Sequence, residues 1–314
     1  MAALTGLRLT PAYHERVWGG QRLRVADPPI GEAWIVDEHD QVAEGPLAGR
    51  TLGDLATERG AALLGRVPVG RTGTRFPLLI KLLDAADWLS VQVHPNDEEA
   101  VRLEGAGQFG KTEAWHIIEA APDAQLICGL RPGTTCEAFA RAMRDGTVSD
   151  LSRYLTVAAG DTVFIGAGTV HALGPSLLLY EVQQTSDITY RVFDWNRPQS
   201  AGRKLHIAQS EAVADPAIVG EVQPRPADAA AVATLVSCPY FTLDRLLGTA
   251  GPLDADTEGL SFHALTTIAG NARVAGAGWA YDLGRFETVV VPASCGAYRV
   301  TVSPDGQLLR SRVA

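Results

Sequence analysis

The chain has 314 residues, 46% hydrophobic and 20% charged, with a formal net charge of −9. That length allows one large domain or two of ordinary size, and the acidic balance argues against general nucleic-acid binding, which needs a basic footprint. No apolar run reaches membrane-spanning length, Met1-Ala-Ala-Leu-Thr-Gly-Leu-Arg lacks the pattern of a secretory leader, and four scattered cysteines (Cys128, Cys136, Cys238, Cys295) with no Cys-x-x-Cys pair fit a reduced, cytoplasmic setting.

Short helices are expected near residues 50–64. Residues 76–83 and 89–94 read as strands around a turn at Asp84-Ala-Ala-Asp87, and a helix over 97–103 is expected to be capped by Asn96 or Asp97. Strands follow at 115–118 and 124–128. Thr134-Thr-Cys-Glu137 has capping-box spacing, Phe139, Ala140 and Met143 share a helical face, and Gly146 ends that helix. Leu151, Tyr154 and Leu155 suggest a second short helix, so a small helical insertion is expected at about 134–156. Strands resume at 161–165 and 177–183. Residues 212–236 are rich in Pro and Ala and read as a connector; strands then recur at 241–247, 263–268, 288–291 and 298–302. Frequent Gly and Pro between short strands predict a mainly β protein of antiparallel sandwiches or barrels. The expected division is a chemistry-bearing domain over residues 1–236 and a second, metal-free one over 237–314.

Polar residues interrupt the apolar strands in three places: Gln92-Val-His94, Lys111-Thr-Glu113, and His171 after Gly168-Thr-Val. Residues two apart on a strand share a face, so Gln92 projects with His94, and Lys111 with Glu113 and Trp115 if that segment is extended. The turn Gly166-Ala-Gly168-Thr would hold His171 at a strand entrance. The inward faces of a small barrel converge. Gln92, His94, Glu113 and His171 could therefore meet as divalent-metal ligands and leave a position open for a substrate. Lys111 is one of only three lysines among 27 basic residues, with Lys81 and Lys204. Arg and Lys are not interchangeable, so a lysine kept in an arginine-rich chain suggests a need for a compact ammonium.

These segments resemble type I phosphomannose isomerases (mannose-6-phosphate isomerases) of the shorter bacterial form. The matching text runs in order through Trp18-Gly-Gly, Gly31-Glu-Ala-Trp34, residues 76–97, Gly110-Lys-Thr-Glu-Ala-Trp115, Ala167-Gly-Thr-Val-His-Ala172 and residues 181–197. It is strong over about residues 10–210 and weak beyond, where Val290-Val-Pro-Ala resembles the family's second-barrel motif. The resemblance implies two cupin-type jelly-roll barrels and the interconversion of mannose 6-phosphate and fructose 6-phosphate. It also implies one zinc ion per chain on His94, Glu113 and His171 with Gln92 as a further ligand, Arg191 as the catalytic arginine, and Lys111 lining the site. The sequence departs from the family at Gly166, where proline is usual, and at His116, where tyrosine is common; by strand parity His116 points away from Glu113.

Isomerisation moves a proton from C2 to C1 through an enediol(ate). Arg191 suits a fixed cation better than a base, because its pKa exceeds about 12. The proton carrier is open between Lys111 and a metal-bound water. Lys111, Arg191 and Arg197 are candidates for the substrate phosphate, Ser90 could add a hydroxyl, and Trp18 could pack on a sugar face. The competing readings are a cupin that binds sugar or metal without catalysis and an Fe(II) cupin oxygenase. A small phosphosugar is the expected partner, with neither nucleic acid nor membrane; oligomeric state is left open.

Overall fold

The computed structural model describes residues 4–198, 203–227 and 230–314. In chain order its strands are β1 (Leu7–Arg8), β2 (Ala12–Gly20), β3 (Ile30–Val36), β4 (Leu78–Ala85), β5 (Val91–Val93), β6 (Glu113–Ala120), β7 (Gln125–Leu130), β8 (Ser152–Thr156), β9 (Thr162–Ile165), β10 (His171–Leu173), β11 (Leu177–Gln184), β12 (Tyr190–Phe193), β13 (Glu221–Gln223), β14 (Val232–Ser237), β15 (Thr242–Leu247), β16 (Leu253–Asp256), β17 (His263–Ala269), β18 (Ala272–Gly276), β19 (Trp279–Leu283), β20 (Thr288–Val291), β21 (Ala297–Val302) and β22 (Gln307–Arg312). The α-helices are α1 (Leu52–Arg59), α2 (Ala61–Leu64), α3 (Arg66–Thr72), α4 (Asp97–Glu104), α5 (Cys136–Asp145), α6 (Val148–Leu151) and α7 (Ile207–Val213). The protein is mainly β, as its sequence pattern requires, and no described helix is long and apolar enough to cross a membrane.

Backbone contacts divide the chain into two units. A central unit comprises Tyr13–Ala33 and Leu82–Gln223; a terminal unit comprises Met1–Ala12, Trp34–Lys81 and Pro224–Ala314. This division differs from the expected contiguous split at 236. The N-terminus pairs with a strand far along the chain, Leu7 opposite Val290 and Arg8 opposite Val289. Such non-local pairing leaves no trace in local periodicity. The terminal unit holds a six-stranded sheet, β1-β20-β17-β22-β15-β14, and a four-stranded sheet, β16-β21-β18-β19.

The central unit is built on a five-stranded sheet, β12-β5-β10-β7-β8, and a seven-stranded sheet, β13-β9-β6-β11-β4-β2-β3, whose strands β3 and β4 run on past the unit's limits. Strand alternation gives the five-stranded sheet two buried faces. The inner face adds Leu126, Cys128 and Leu173 to a core with Trp18, Leu83, Trp115, Ile117 and Val163. The outer face, with Val91, Val93, Ile127 and Ala172, is covered by Phe139 and Met143 of α5 and Val213 of α7. Both faces are therefore closed to water, except where the polar residues break the inner one.

Three local expectations shift. The N-cap of α5 is Thr135, whose Oγ1 accepts the Ala138 N–H at 3.1 Å, while Thr134 Oγ1 donates to the Arg131 carbonyl at 2.7 Å; Gly146 does end the helix, in the left-handed conformation. Tyr154 and Leu155 are not helical. They lie on β8, opposite Ile127 and Leu126 of β7, where sheet pairing outweighs helical spacing. The connector over 212–236 holds the end of α7, β13 and β14, with positions 228 and 229 outside the described residues. β13 is an edge strand with mostly exposed side chains, so it shows no apolar alternation to read. Asn96 caps α4 with a complete capping box to Glu99.

Phe139 is 2% exposed on α5, whereas Arg141 is exposed. Phe139→Ala should cost about 3–5 kcal/mol in denaturant unfolding, while Arg141→Ala should stay within about 0.5 kcal/mol. In the terminal unit, His263 Nδ1 lies 2.6 Å from the Tyr298 hydroxyl. Burial, then Arg310 and Arg312, lower its pKa from 6.5 to about 3. The unfolded chain gains a proton below 6.5 that the folded chain refuses, so stability should fall as pH drops through that window. His263→Asn should make the dependence of the unfolding midpoint on pH shallower across it; an unchanged slope would refute the assignment.

Candidate metal centre

The site forms where the inner faces of the two central-unit sheets meet. Glu113 opens β6, His171 opens β10, and His94 follows the last residue of β5. Their ligand atoms all lie within 4.8 Å of one another. Glu113 Oε1 is 3.3 Å from His171 Nε2, and Glu113 Oε2 is 3.7 Å from His94 Nε2 and 3.0 Å from Lys111 Nζ. Lys111 Nζ also stands 3.1 Å from His94 Nε2. All four side chains are buried, with Glu113 and His171 at 0% exposure.

The backbone sets the tautomers. His94 Nδ1 is 2.9 Å from the Ile188 carbonyl and His171 Nδ1 is 2.8 Å from the Thr169 carbonyl. A carbonyl can only accept, so each Nδ1 carries hydrogen and the neutral ring turns its Nε2 lone pair to the cluster. This arrangement commonly orients histidines that bind metals. Burial holds the His171 pKa down at about 4, so the ring is neutral at neutral pH. Two imidazole lone pairs and one carboxylate, held dry, fit a divalent cation such as zinc. Lys111 answers to the same carboxylate: burial works against its charge, but Glu113 and Glu181 outweigh burial and keep it an ammonium.

Register places the other candidates. Gln92 of β5 sits directly opposite His171 of β10 on one side and Arg191 of β12 on the other. Opposed residues of antiparallel strands share a face, with Cβ atoms about 4.5–5.5 Å apart. Arg191, Gln92 and His171 therefore form one row on the inner face. The row continues to Cys128, opposite His171, whose thiol burial pushes up to about 12 and so keeps it protonated and a poor ligand. Arg191 Nε donates to Ser90 Oγ at 3.3 Å and its Nη1 to the Lys204 carbonyl at 3.2 Å. Among the described residues no carboxylate forms an ion-pair contact with it; Asp194, whose charge it feels, is bound by Arg203 and Arg197.

Two glycines make the loops fit. Gly168 has φ +85°, and its N–H donates to the His94 carbonyl at 2.9 Å, tying the turn before His171 to the other imidazole. A Cβ on Gly110 would lie 2.5 Å from the Asn96 carbonyl carbon, so only glycine lets the loop before Lys111 reach the start of α4. The turn at Gly166 is kept without proline, with the Thr169 N–H 3.2 Å from the Gly166 carbonyl.

Some expected contributors lie elsewhere. Trp18 is 4% exposed in the inner core and offers no face to a sugar. Arg197 is spent on Asp87 and Asp194. His116 points to the other face of β6, where its Nδ1 is 2.9 Å from Thr162 Oγ1. Glu181 was not singled out from the sequence, yet it stands opposite Trp115 on β11, accepts the indole N–H at 2.7 Å, and adds negative charge near Lys111. Its signal was a carboxylate directly after the apolar run Leu177–Tyr180.

The chain is similar to known proteins over most of its length. The family model for the catalytic domain of type I phosphomannose isomerase matches residues 7–132. Mannose-6-phosphate isomerase ManA of Bacillus subtilis (strain 168) is 33% identical over 306 residues, 92% of this chain and 94% of that protein. The crystal structure of a Bacillus subtilis mannose 6-phosphate isomerase superposes with a TM-score of 0.86 at 30% identity, covering 98% of this chain and 99% of that one. A zinc-bound mannose 6-phosphate isomerase shares the fold at a TM-score of 0.78 and 16% identity, over 99% and 100% of the two chains.

Zinc titration of chelator-treated protein, read by calorimetry, should show one strong site that His94→Ala, Glu113→Ala and His171→Ala each abolish. Cys128→Ala should retain it; loss of zinc in that variant would show that the ligand set is misassigned.

Proposed function

The chain belongs to the type I phosphomannose isomerase family, and we propose that it is a zinc-dependent aldose–ketose isomerase interconverting mannose 6-phosphate and fructose 6-phosphate. The observation that supports this most is the row Arg191–Gln92–His171 running into the His94–Glu113–Lys111 cluster. It sets the Arg191 cation, which has no ion-pair contact among the described residues, beside a neutral imidazole pair on one inner face. His94, Glu113 and His171, with Gln92, would hold the zinc ion, which when bound polarises sugar oxygens as a Lewis acid.

The chain's own residues account for the rest. The reaction removes a proton from C2 and returns one to C1, while the hydroxyl hydrogen passes between O2 and O1. Negative charge builds on those oxygens in the enediolate. The Arg191 guanidinium, pinned at Nε by Ser90 and at Nη1 by the Lys204 carbonyl, is a preorganised partner for that charge. Lys111 holds a proton on Nζ beside His94 and Glu113 and can donate a hydrogen bond to a sugar oxygen. Both cations also suit a phosphorylated, anionic substrate in a chain of net charge −9.

A coupled assay with mannose 6-phosphate should show turnover that chelator abolishes and zinc restores. Arg191→Ala should lower kcat by about 10²–10³-fold while leaving bound zinc unchanged. Full turnover in metal-free protein would overturn the reading.

A further inference from the structure

β12 is an edge strand, paired with β5 on one side only. Residues 203–206 occupy its other edge. Arg203 Nε and Nη2 each donate to the Asp194 carboxylate at 2.6 Å, and the Lys204 carbonyl accepts from Arg191 Nη1. His206 then closes a two-point bridge: its backbone N–H donates to the Arg191 carbonyl at 2.8 Å, and its ring Nδ1 accepts the Arg191 backbone N–H at 3.0 Å. Both backbone groups of Arg191 therefore point away from β5. Arg191 and Gln92 are consequently a non-hydrogen-bonded pair, the closer kind, which draws the arginine side chain toward the row that includes His171.

His206 is itself fixed. Its carbonyl accepts the Ser210 N–H at 2.8 Å in the first turn of α7, and Val213 of that helix is buried in the outer core. The ring lies 6.2 Å from that of Tyr190, whose hydroxyl donates to Glu104 at 2.8 Å. A backbone N–H can only donate, so the bridge needs a lone pair on Nδ1 and the ring hydrogen on Nε2. Protonating Nδ1 would set two donors against each other.

We propose that His206 is a positioning residue for Arg191, and that protonation of its ring unhooks the arginine from its place beside the metal cluster. This rests on the reading of Arg191 as the cation that faces the substrate. The charged groups around the ring are Arg191, Lys204 and Glu104; burial first, then the two cations, lower its pKa, and Glu104 opposes them. The hook therefore stays closed at neutral pH and opens only in acid.

Asparagine can place its Oδ1 near the position of Nδ1 and does not titrate, whereas leucine removes the acceptor. With zinc-saturated holoenzyme, His206→Asn should match wild-type kcat at pH 8, and His206→Leu should lower kcat by about 10–100-fold with KM changed little. On acidification the ratio of wild-type to His206→Asn kcat should fall; protonation at the metal ligands affects both proteins and cancels in that ratio. A flat ratio, or asparagine as damaging as leucine, would overturn the proposal. If the leucine protein does not fold, the wild-type to asparagine ratio decides alone. Arg191→Ala measured alongside separates the two claims: turnover intact in that variant defeats the reading of Arg191, whereas a dead Arg191→Ala with a fully active His206→Leu defeats only the role of His206.

Discussion

A carboxylate with no solvent exposure must find positive charge or strong donors, and Glu113 is such a group. The central unit meets that demand by bringing Lys111 to one oxygen and His171 to the other. Everything near the site follows from this: Lys111 stays an ammonium because the carboxylate is there, and His171 stays neutral because burial is too costly for a second cation beside the first. The result is a buried cluster of ligand atoms with the chemistry to hold a divalent ion.

The backbone, more than the side chains, gives the cluster its chemistry. Carbonyl groups of Ile188 and Thr169 choose the imidazole tautomers, and the Gly168 N–H ties the two histidine segments together. Arg191 is governed in the same way. Its strand is an edge, and the groups that an edge leaves unpaired are taken up by His206. An exposed edge is usually a liability; here it fixes which face the arginine serves.

Much of the site was legible in the chain. Strand parity put Gln92 on the face that leads to His94 and turned His116 away, because alternation is a local property; Lys111 reaches Glu113 from the loop just before β6. Trp18 was less legible: an aromatic beside glycines reads equally as a sugar platform or as core, and only burial among Leu83, Trp115 and Ile117 separates them. The helical spacing of Leu151, Tyr154 and Leu155 misled because β8 pairs with β7, a tertiary contact that outweighs local spacing. Glu181 and His206 escaped notice since neither forms a metal-type pattern with its chain neighbours.

The sequence by itself determined the mainly β class, the candidate His94–Glu113–His171 set and the family, because periodicity, residue chemistry and motif order are carried by neighbouring residues. Only the tertiary structure decided that β1 belongs with β20, that Asp194 is claimed by Arg203 rather than Arg191, and that Arg191, Gln92 and His171 stand in one row. Those outcomes depend on strand register and on competition among partners distant along the chain, which no local pattern encodes.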